Sequence, residues 1–142
     1  MNINKFTQKS IQAVNDLEKI AYEYGNQEIE EEHLLYCLLN QEDSLILKLI
    51  EKMEINKDEF QRSLIDALNK RPKVSGGQVY IGKDLNRVLV SAEDEAKAMG
   101  DEYVSVEHLF LSLLRYPNAG IRDLFRNYGI TKDRFLQALS TV

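Results

Sequence analysis

The chain has 142 residues, of which 44% are hydrophobic and 29% are charged, and its formal net charge is −5. This composition is too apolar for intrinsic disorder, and the length suits one domain with a core of its own. No basic stripe that could follow a phosphate backbone is present, and no apolar run approaches membrane-spanning length. We therefore expect neither nucleic acid nor a membrane as a partner.

The cysteine content and the first residues indicate a compartment. Cys37 is the only cysteine, so an internal disulfide is impossible, and its place beside two leucines predicts a small buried side chain. The first residues, MNINKF, do not resemble a secretory signal. Both observations predict a cytoplasmic protein.

Helical periodicity begins near the amino terminus. Apolar residues recur at three- and four-residue spacing between Ile11 and Tyr24, which predicts a long amphipathic helix that ends at Gly25. A short polar link leads to a second predicted helix near 30–40 and a third near 44–53. Asn56, with a glutamate three residues later, predicts the start of a fourth helix.

A single linker follows, at about residues 70–80. It combines positive charge, Pro72 and the pair Gly76-Gly77, which interrupt helical structure. The stretch Val79-Tyr80-Ile81 that ends it is apolar and rich in β-branched residues. We expect this stretch to be extended and packed.

The pattern then repeats. A first helix spans Leu85 to Met99 and ends at Gly100, a second lies near 105–116, a third near 119–128, and Thr131 caps a fourth. Eight helices are therefore predicted, and the fold class is all-α.

The expected helix caps differ in quality. Ser105 is a good cap for its helix, whereas Glu30, at the corresponding place in the first half, is a poorer one. Asp43 and Asn118 are the expected caps of the third helices.

A shift of 75 residues aligns the two halves without a gap. It places Glu32-His33-Leu34 on Glu107-His108-Leu109 and Gly25 on Gly100. We interpret the chain as two tandem four-helix repeats, at about 1–69 and 81–142, joined by the linker. Each half alone is too small for an adequate core, so we expect the repeats to share one.

The Glu-His pair in each repeat invites a catalytic or metal-binding interpretation. Neighbouring residues on a helix point about 100° apart, so Glu32 and His33 cannot both bind one metal, and the H-E-x-x-H spacing is absent. We predict that His33 and His108 are packed histidines with a satisfied ring nitrogen. No nucleophile motif or phosphate-binding loop is present, so we expect no enzyme activity, no cofactor and no metal in this chain.

Glu32 and Glu107 have two possible roles. Each lies in the first turn of a predicted helix, where the helix amino terminus stabilises a carboxylate. Each could also be a partly exposed acceptor beside a groove, facing a basic or amide group of a bound chain.

The assembled pattern is a long helix, a glycine, an isoleucine or valine, and then Glu-His-Leu-x-x-x-Leu-Leu, twice. It closely resembles the double amino-terminal repeat of the Clp/Hsp100 unfoldases and covers essentially the whole chain. Arg71-Pro72-Lys73-Val74 and Gly100-Asp101-Glu102-Tyr103-Val104-Ser105 are most similar to the ClpB disaggregase type. The ClpC type usually has a threonine before Glu-His, where this chain has Glu31 and Val106.

This resemblance implies two four-helix repeats related by a pseudo-twofold axis and attached flexibly to a hexameric ATPase ring. Such a domain would recruit exposed hydrophobic segments of unfolded or aggregated polypeptides, and ATP and magnesium would belong to ATPase modules elsewhere. The chain ends near the close of its eighth helix, so we expect an excised domain. An Hsp70-type chaperone system or an adaptor would be reached through the parent protein.

Two alternatives stay open at this point. One is an adaptor-binding or phosphoarginine-binding domain of a ClpC-type unfoldase. The other is a free-standing accessory subunit.

The resemblance also implies site residues. Thr7, Asp101 and Glu107 match polar positions that ClpB-type domains use in substrate handling. Thr7 could equally cap the first helix, and Asp101 could simply solvate a turn. We expect them to edge an apolar groove lined in part by Leu89, Val104 and Val106. Val106 motivates this expectation, because it stands in the first turn of a helix, where a polar residue would suit better.

A second site would involve Glu32. In ClpC-type relatives, the Glu32 and Glu107 positions take part, with Thr7, in binding phosphorylated arginine. Gly82 stands where a second threonine would be needed, which argues against a symmetric pair of sites.

Overall fold

A computed structural model describes residues 1–142, and nearly all of its regular structure is helical. The first repeat contains a short 3₁₀ helix, Ile3–Lys5, and the helices α1 (Gln8–Asn15), α2 (Leu17–Glu23), α3 (Glu31–Leu39), α4 (Leu45–Lys52) and α5 (Lys57–Asn69). The second contains α6 (Lys83–Ala98), α7 (Val106–Arg115), α8 (Ala119–Asn127) and α9 (Lys132–Leu139). Two short strands are β1 (Glu28–Ile29) and β2 (Tyr80–Ile81). The predicted all-α fold of two tandem four-helix repeats is confirmed.

The first predicted helix differs between the repeats. In the second repeat it is one continuous helix, α6, whereas in the first it is divided into α1 and α2 at Asp16. Asn15 and Asp16 are weak helix formers because their side chains compete for nearby backbone groups. Nine helical segments therefore occupy eight helical positions.

The helix termini follow the sequence signals with one exception. Gly25 and Gly100 have left-handed φ values of 71° and 72° and end their helices as predicted. Asn118 caps α8, accepting a hydrogen bond from the Ile121 N–H at 2.8 Å. Asp43 does not cap α4: it lies outside the helix with φ 56°, and Ser44 Oγ accepts from the Leu47 N–H instead. The start of this helix was therefore predicted one residue early.

The two repeats exchange their extended segments. Strand β1 of the first repeat pairs in parallel with β2, so that Ile29 lies opposite Ile81. A parallel bridge joins Phe6 to Val104 in the same way. Under the 75-residue shift Phe6 corresponds to Ile81 and Ile29 to Val104, so each repeat pairs the start of its own chain with the link of the other. The Val79–Ile81 stretch is extended and paired, as expected.

One hydrophobic core serves both repeats. A single cluster of 34 buried residues includes Phe60 of the first repeat and Phe110 and Phe135 of the second. Helix α3 packs against α6, α7 and α8, and α4 packs against α7 and α9. The expected shared core is confirmed. No helix of the chain combines the length and the apolar character needed to cross a membrane.

The shared core predicts cooperative unfolding. Leu38 and Leu113 are equivalent under the shift and are both fully buried. We expect Leu38→Ala and Leu113→Ala each to lower the free energy of unfolding by about 2–5 kcal/mol, because each leaves a cavity. Leu114 is only half-buried, so Leu114→Ala should have a smaller effect. Differential scanning calorimetry should show one transition in every variant, and two resolved transitions would contradict the shared core.

Candidate functional site

Both histidines are buried and fully hydrogen-bonded. His33 Nδ1 accepts from the Glu30 N–H at 2.8 Å, so Nε2 carries the ring proton and donates to Asn26 Oδ1 at 2.9 Å. His108 repeats the arrangement with the Ser105 N–H at 2.8 Å and Asp101 Oδ2 at 2.8 Å. Each ring therefore joins the start of a helix to the link before it. The predicted packed histidines are confirmed.

The titration of His33 agrees with this structural role. Burial lowers the pKa of His33 to about 4, so the ring is neutral at neutral pH. The same burial raises the pKa of the Cys37 thiol to about 12, which leaves the thiol protonated. Neither side chain is poised for acid, base or nucleophilic chemistry.

Three consecutive glutamates are buried at the start of α3. Glu32 is held by Arg71, whose Nη2 donates to Oε2 at 2.7 Å and whose Nε donates to the same oxygen at 3.1 Å. Arg71 Nη1 also donates to Glu30 Oε2 at 2.8 Å, and Asn118 Nδ2 donates to Glu32 Oε1 at 2.9 Å. Glu32 is therefore an internal ion-pair partner. The expectation that it forms a partly exposed second site is wrong in this structure, because Arg71 already occupies it.

Glu31 is stabilised differently. Its Oε1 accepts from the Asn118 N–H at 2.9 Å, but its Oε2 is buried without a hydrogen-bond partner. Burial raises the pKa of Glu31 to about 8 and, against the opposing charge of Arg71, that of Glu30 to about 7. Glu31 is therefore largely protonated at neutral pH.

The linker lies across the first repeat. Asn26 Nδ2 donates to the Pro72 carbonyl at 3.0 Å, and the Val74 N–H donates to the Gly25 carbonyl at 2.9 Å. Lys73 Nζ donates to the Tyr24 carbonyl at 2.6 Å. We call residues 71–74 the docked linker. Together with Arg71, these contacts cover the link of the first repeat.

The link of the second repeat, residues 100–105, is uncovered. Asp101 keeps 47% of its side-chain area exposed although it accepts from His108. Glu107 is half-buried and has no hydrogen bond or ion pair. Thr7 joins this link through its N–H, which donates to the Val104 carbonyl at 3.0 Å. The structure thus brings Thr7, Asp101 and Glu107 around one link.

The apolar residues expected beside them are elsewhere. Leu89, Val104 and Val106 are 2%, 1% and 6% exposed and belong to the core. They do not line an open groove, because the Phe6–Thr7 backbone pairs with Val104 and covers it. The exposed apolar side chains along this link are Met99 and Tyr103, at 42% and 50%. We define the second-repeat site as Thr7, Met99, Asp101, Tyr103 and Glu107.

Gly82 lies against the acidic side chains of the first repeat. A Cβ at Gly82 would lie 2.5 Å from Glu30 Oε1 and 2.6 Å from Glu28 Oε1. A threonine like Thr7 could be placed there only if these two carboxylates moved. The acidic cluster of the first repeat, as arranged here, therefore occupies the space that a side chain at residue 82 would take.

Sequence reasoning missed the contacts of Arg71 and Asn118 with Glu32 and of Asn26 with His33. A signal for Arg71 was present, because three acidic residues at the start of a buried helix need a cation. The linker carries the nearest unassigned positive charge. Which of its three basic residues is used depends on the path of the linker, which the sequence pattern does not give.

The arrangement leaves one link open at the surface. Its histidines have structural roles. In the acidic cluster, Arg71 pairs with Glu30 and Glu32, and Glu31 is largely protonated. No group of three or more His, Cys, Asp or Glu side chains surrounds a possible metal position. The open link of the second repeat has two carboxylates, Asp101 and Glu107, and two exposed apolar side chains, Met99 and Tyr103.

The chain belongs to the family described as Clp repeat (R) N-terminal domain, which matches residues 5–128. The chaperone protein ClpB of Nitratidesulfovibrio vulgaris is 40% identical over an alignment that covers all of this chain and 17% of that protein. The chain therefore spans about a sixth of the length of this curated relative.

Solved structures show the same fold. The Hsp104 N-terminal domain from Candida albicans has a TM-score of 0.81 and 23% identity, covering 94% of this chain and 88% of that one. A complex of the ClpV N-domain with a VipB peptide has a TM-score of 0.70 and 20% identity, covering 97% and 89%.

Burial of Glu31 predicts a pH dependence. Its pKa rises from 4.5 to about 8 on folding, so its stabilising contribution is complete below about pH 4.5 and is lost as the pH rises through 8. Between these limits the free energy of unfolding should fall by up to about 1.4 kcal/mol per pH unit from this group alone. We expect Glu31→Gln to flatten the dependence and to be more stable than the parent at pH 8.

Urea unfolding between pH 5 and 8 measures this effect. The exposed Glu18 provides the control, because Glu18→Gln makes the same chemical change at a carboxyl that is not buried. Equal pH dependence in the parent and in Glu31→Gln would show that Glu31 is ionised when folded.

Removal of Arg71 should be strongly destabilising. Arg71→Ala leaves the Glu32 carboxylate buried without its cation, for which we expect a loss of about 3–5 kcal/mol. Arg71→Lys keeps the charge but loses the paired N–H donors, so its loss should be smaller. Chemical denaturation measures both. Stability of Arg71→Ala within about 1 kcal/mol of the parent would mean that this ion pair contributes little.

Proposed function

We propose that this chain is the substrate-recruiting amino-terminal domain of a ClpB-type ATP-dependent disaggregase and binds exposed segments of unfolded or aggregated polypeptides. The observation that carries the proposal is the open second-repeat site. Two carboxylates and two exposed apolar side chains flank one link, while the equivalent link in the first repeat is covered. The 40% identity to a ClpB protein supports the assignment of type.

The chemistry of the site suits unfolded chains. Unfolded polypeptides present free backbone N–H groups, basic side chains and apolar side chains together. Asp101 and Glu107 can accept hydrogen bonds from the first two, and Met99 and Tyr103 can contact the third. Such a surface recognises a state of the polypeptide and tolerates many sequences.

Affinity should be modest. A shallow site must order each segment that it binds, and this loss of entropy offsets much of the contact energy. The proposal includes a hexameric ATPase ring, with ATP and magnesium in its own modules, that displays six such domains. Their effective concentration would raise the overall avidity. An Hsp70-type chaperone system or an adaptor would act through that ring, in the cytoplasm.

An NMR titration tests the proposal with reduced, carboxymethylated α-lactalbumin as the unfolded ligand. We expect saturable shift changes at Gly100–Glu107. Glu107→Gln should weaken binding by about fivefold or more through loss of a charged acceptor. Glu102→Gln is the matched control, because Glu102 is an exposed acid on the same link. Val106 is buried, so an aspartate there would test stability and not binding.

Two results would contradict the proposal. One is shift changes confined to another surface, which would favour docking of an adaptor there. The other is equal affinity for the parent and Glu107→Gln.

A further inference from the structure

A pocket bordered by positive charge opens where α7, α8 and the start of α9 meet. Its volume is about 450 Å³, and four exposed cations line it: Arg115, Arg122, Arg126 and Lys132. Only one carboxylate, that of Glu95, lines the same pocket. The whole chain has a formal net charge of −5, so this surface is opposite in sign to the net charge of the molecule. We call it the basic pocket.

Two of the four cations are oriented by hydrogen bonds. Arg115 Nε donates to Glu95 Oε2 at 3.0 Å, and Glu95 has only 5% of its side-chain area exposed. Arg122 Nη2 donates to the Pro117 carbonyl at 3.2 Å. A guanidinium group has five N–H donors, so each arginine retains donors for a ligand. These contacts position the two side chains and leave most of their donors free.

The other two cations have no close acidic partner. Arg126 Nη1 lies 3.8 Å from Asp123 Oδ1, which is beyond hydrogen-bond distance, and both side chains are largely exposed. Lys132 is exposed and makes no ion pair. The basic pocket therefore holds more positive charge than the carboxylates beside it neutralise.

The floor of the basic pocket is apolar. Leu111, Phe125 and Ile130 line it and are 3%, 4% and 5% exposed, and the half-buried Leu114 completes it. All four belong to the shared core or pack against it, so the fold fixes the floor in place. The volume lies within the range of about 300–1,000 Å³ that is usual for ligand pockets. The pocket has room for one large apolar side chain.

The first repeat lacks this concentration of charge. Under the shift of 75 residues, the three arginines correspond to positions that carry no cation: Asn40, Leu47 and Glu51. Leu47 packs against the core, and Glu51 Oε1 lies 3.7 Å from Nζ of Lys57, the counterpart of Lys132. A repeat of this kind therefore folds without the three arginines, so folding does not account for their presence in the second repeat.

We infer that the basic pocket docks an acidic segment of a protein partner, with one large apolar side chain of that segment inserted between the cations. Carboxylates on both sides of the inserted side chain would accept from the arginines, whose paired N–H donors match carboxylate geometry. Arginine is also enriched at protein–protein interfaces.

The basic pocket is separate from the second-repeat site. None of Thr7, Met99, Asp101, Tyr103 and Glu107 lines it. The inference therefore goes beyond the proposed function and does not depend on it. The chain then has one site for unfolded segments and another for an acidic partner.

Positive charge alone would also attract nucleic acid, but the floor favours a polypeptide. Proteins that follow a phosphate backbone spread their cations along a stripe, whereas these cations surround one pocket. Phe125, the one aromatic residue that lines the pocket, is buried, so no ring is available for stacking with a base. An acidic peptide uses the cations and the apolar floor together.

Calorimetric and NMR titrations test the inference with the capped peptide EDDFLDDE added to the 142-residue chain. We expect saturable binding to one site, with the largest shift changes at residues 111–132, and weaker binding as salt is raised. Two control peptides are EDDAADDE, which lacks the large apolar side chains, and QNNFLNNQ, which lacks the carboxylates. Each should bind about tenfold more weakly, because each removes one of the two contributions.

Substitution of exposed arginines tests the same surface from the protein side. Arg122→Gln and Arg126→Gln should each weaken binding of EDDFLDDE by about two- to fivefold, as expected for an exposed ion pair, and the double variant by about tenfold. Arg62→Gln is the matched control, because Arg62 is an exposed arginine of α5 outside the pocket, and it should bind like the parent.

Four results would overturn the inference. They are no saturable binding of EDDFLDDE, equal binding of EDDFLDDE and EDDAADDE, equal binding by the parent and the double variant, and binding of an oligothymidylate of matched length as tight as that of the peptide. The last result would identify a surface for nucleic acid. Shift changes at Gly100–Glu107 with carboxymethylated α-lactalbumin decide the proposed function separately, so either idea can fail alone.

Discussion

The reciprocal pairing of extended segments is the constraint on which the rest of the structure depends. Phe6 pairs with Val104 and Ile29 with Ile81, so each link is completed by the start of the other repeat. These pairings connect the two repeats through backbone hydrogen bonds, in addition to the apolar area that the shared core buries. The same exchange brings Thr7 to the second link and Gly82 to the first. Differences between the two sites therefore arise as much from the partner segment as from the link itself.

Burial of the acidic cluster, Glu30 to Glu32, is unfavourable in free energy unless its carboxyl groups are compensated. Buried carboxylates are tolerated only when they are paired or neutral, and the first repeat uses both solutions. Arg71 pairs with Glu32 and Glu30, whereas Glu31 retains its proton because burial raises its pKa to about 8. A consequence is that the linker is fixed to the first repeat, since its arginine is part of the core's charge balance. The asymmetry between two similar repeats follows from this ion pair.

The sequence predicted the fold well because its signals are local and occur twice. Helical periodicity, the left-handed glycines and the Glu-His spacing all describe short segments, and the duplication tests each of them independently. The interpretation of His33 and His108 succeeded for the same reason. The apolar groove was wrong because periodicity shows that Leu89 has a buried face but not which segment covers it. The role of Arg71 depends on a contact across 39 residues, which no local pattern reports.

Three exchanges between the repeats form one set. Glu30, Glu31 and Gly82 of the first site correspond to Ser105, Val106 and Thr7 of the second. The Glu30 and Glu28 carboxylates occupy the space beside Gly82, whereas the residue at the Glu30 position of the second repeat is Ser105, which has no carboxylate. Val106 fills with apolar atoms the position where Glu31 needs a proton and the Asn118 N–H. In the first repeat the Gly82 backbone lies beside Glu30, and Glu31 is the next residue along the chain, so the three positions form one local group. Equivalent backbone positions thus carry a covered link in the first repeat and an open link in the second.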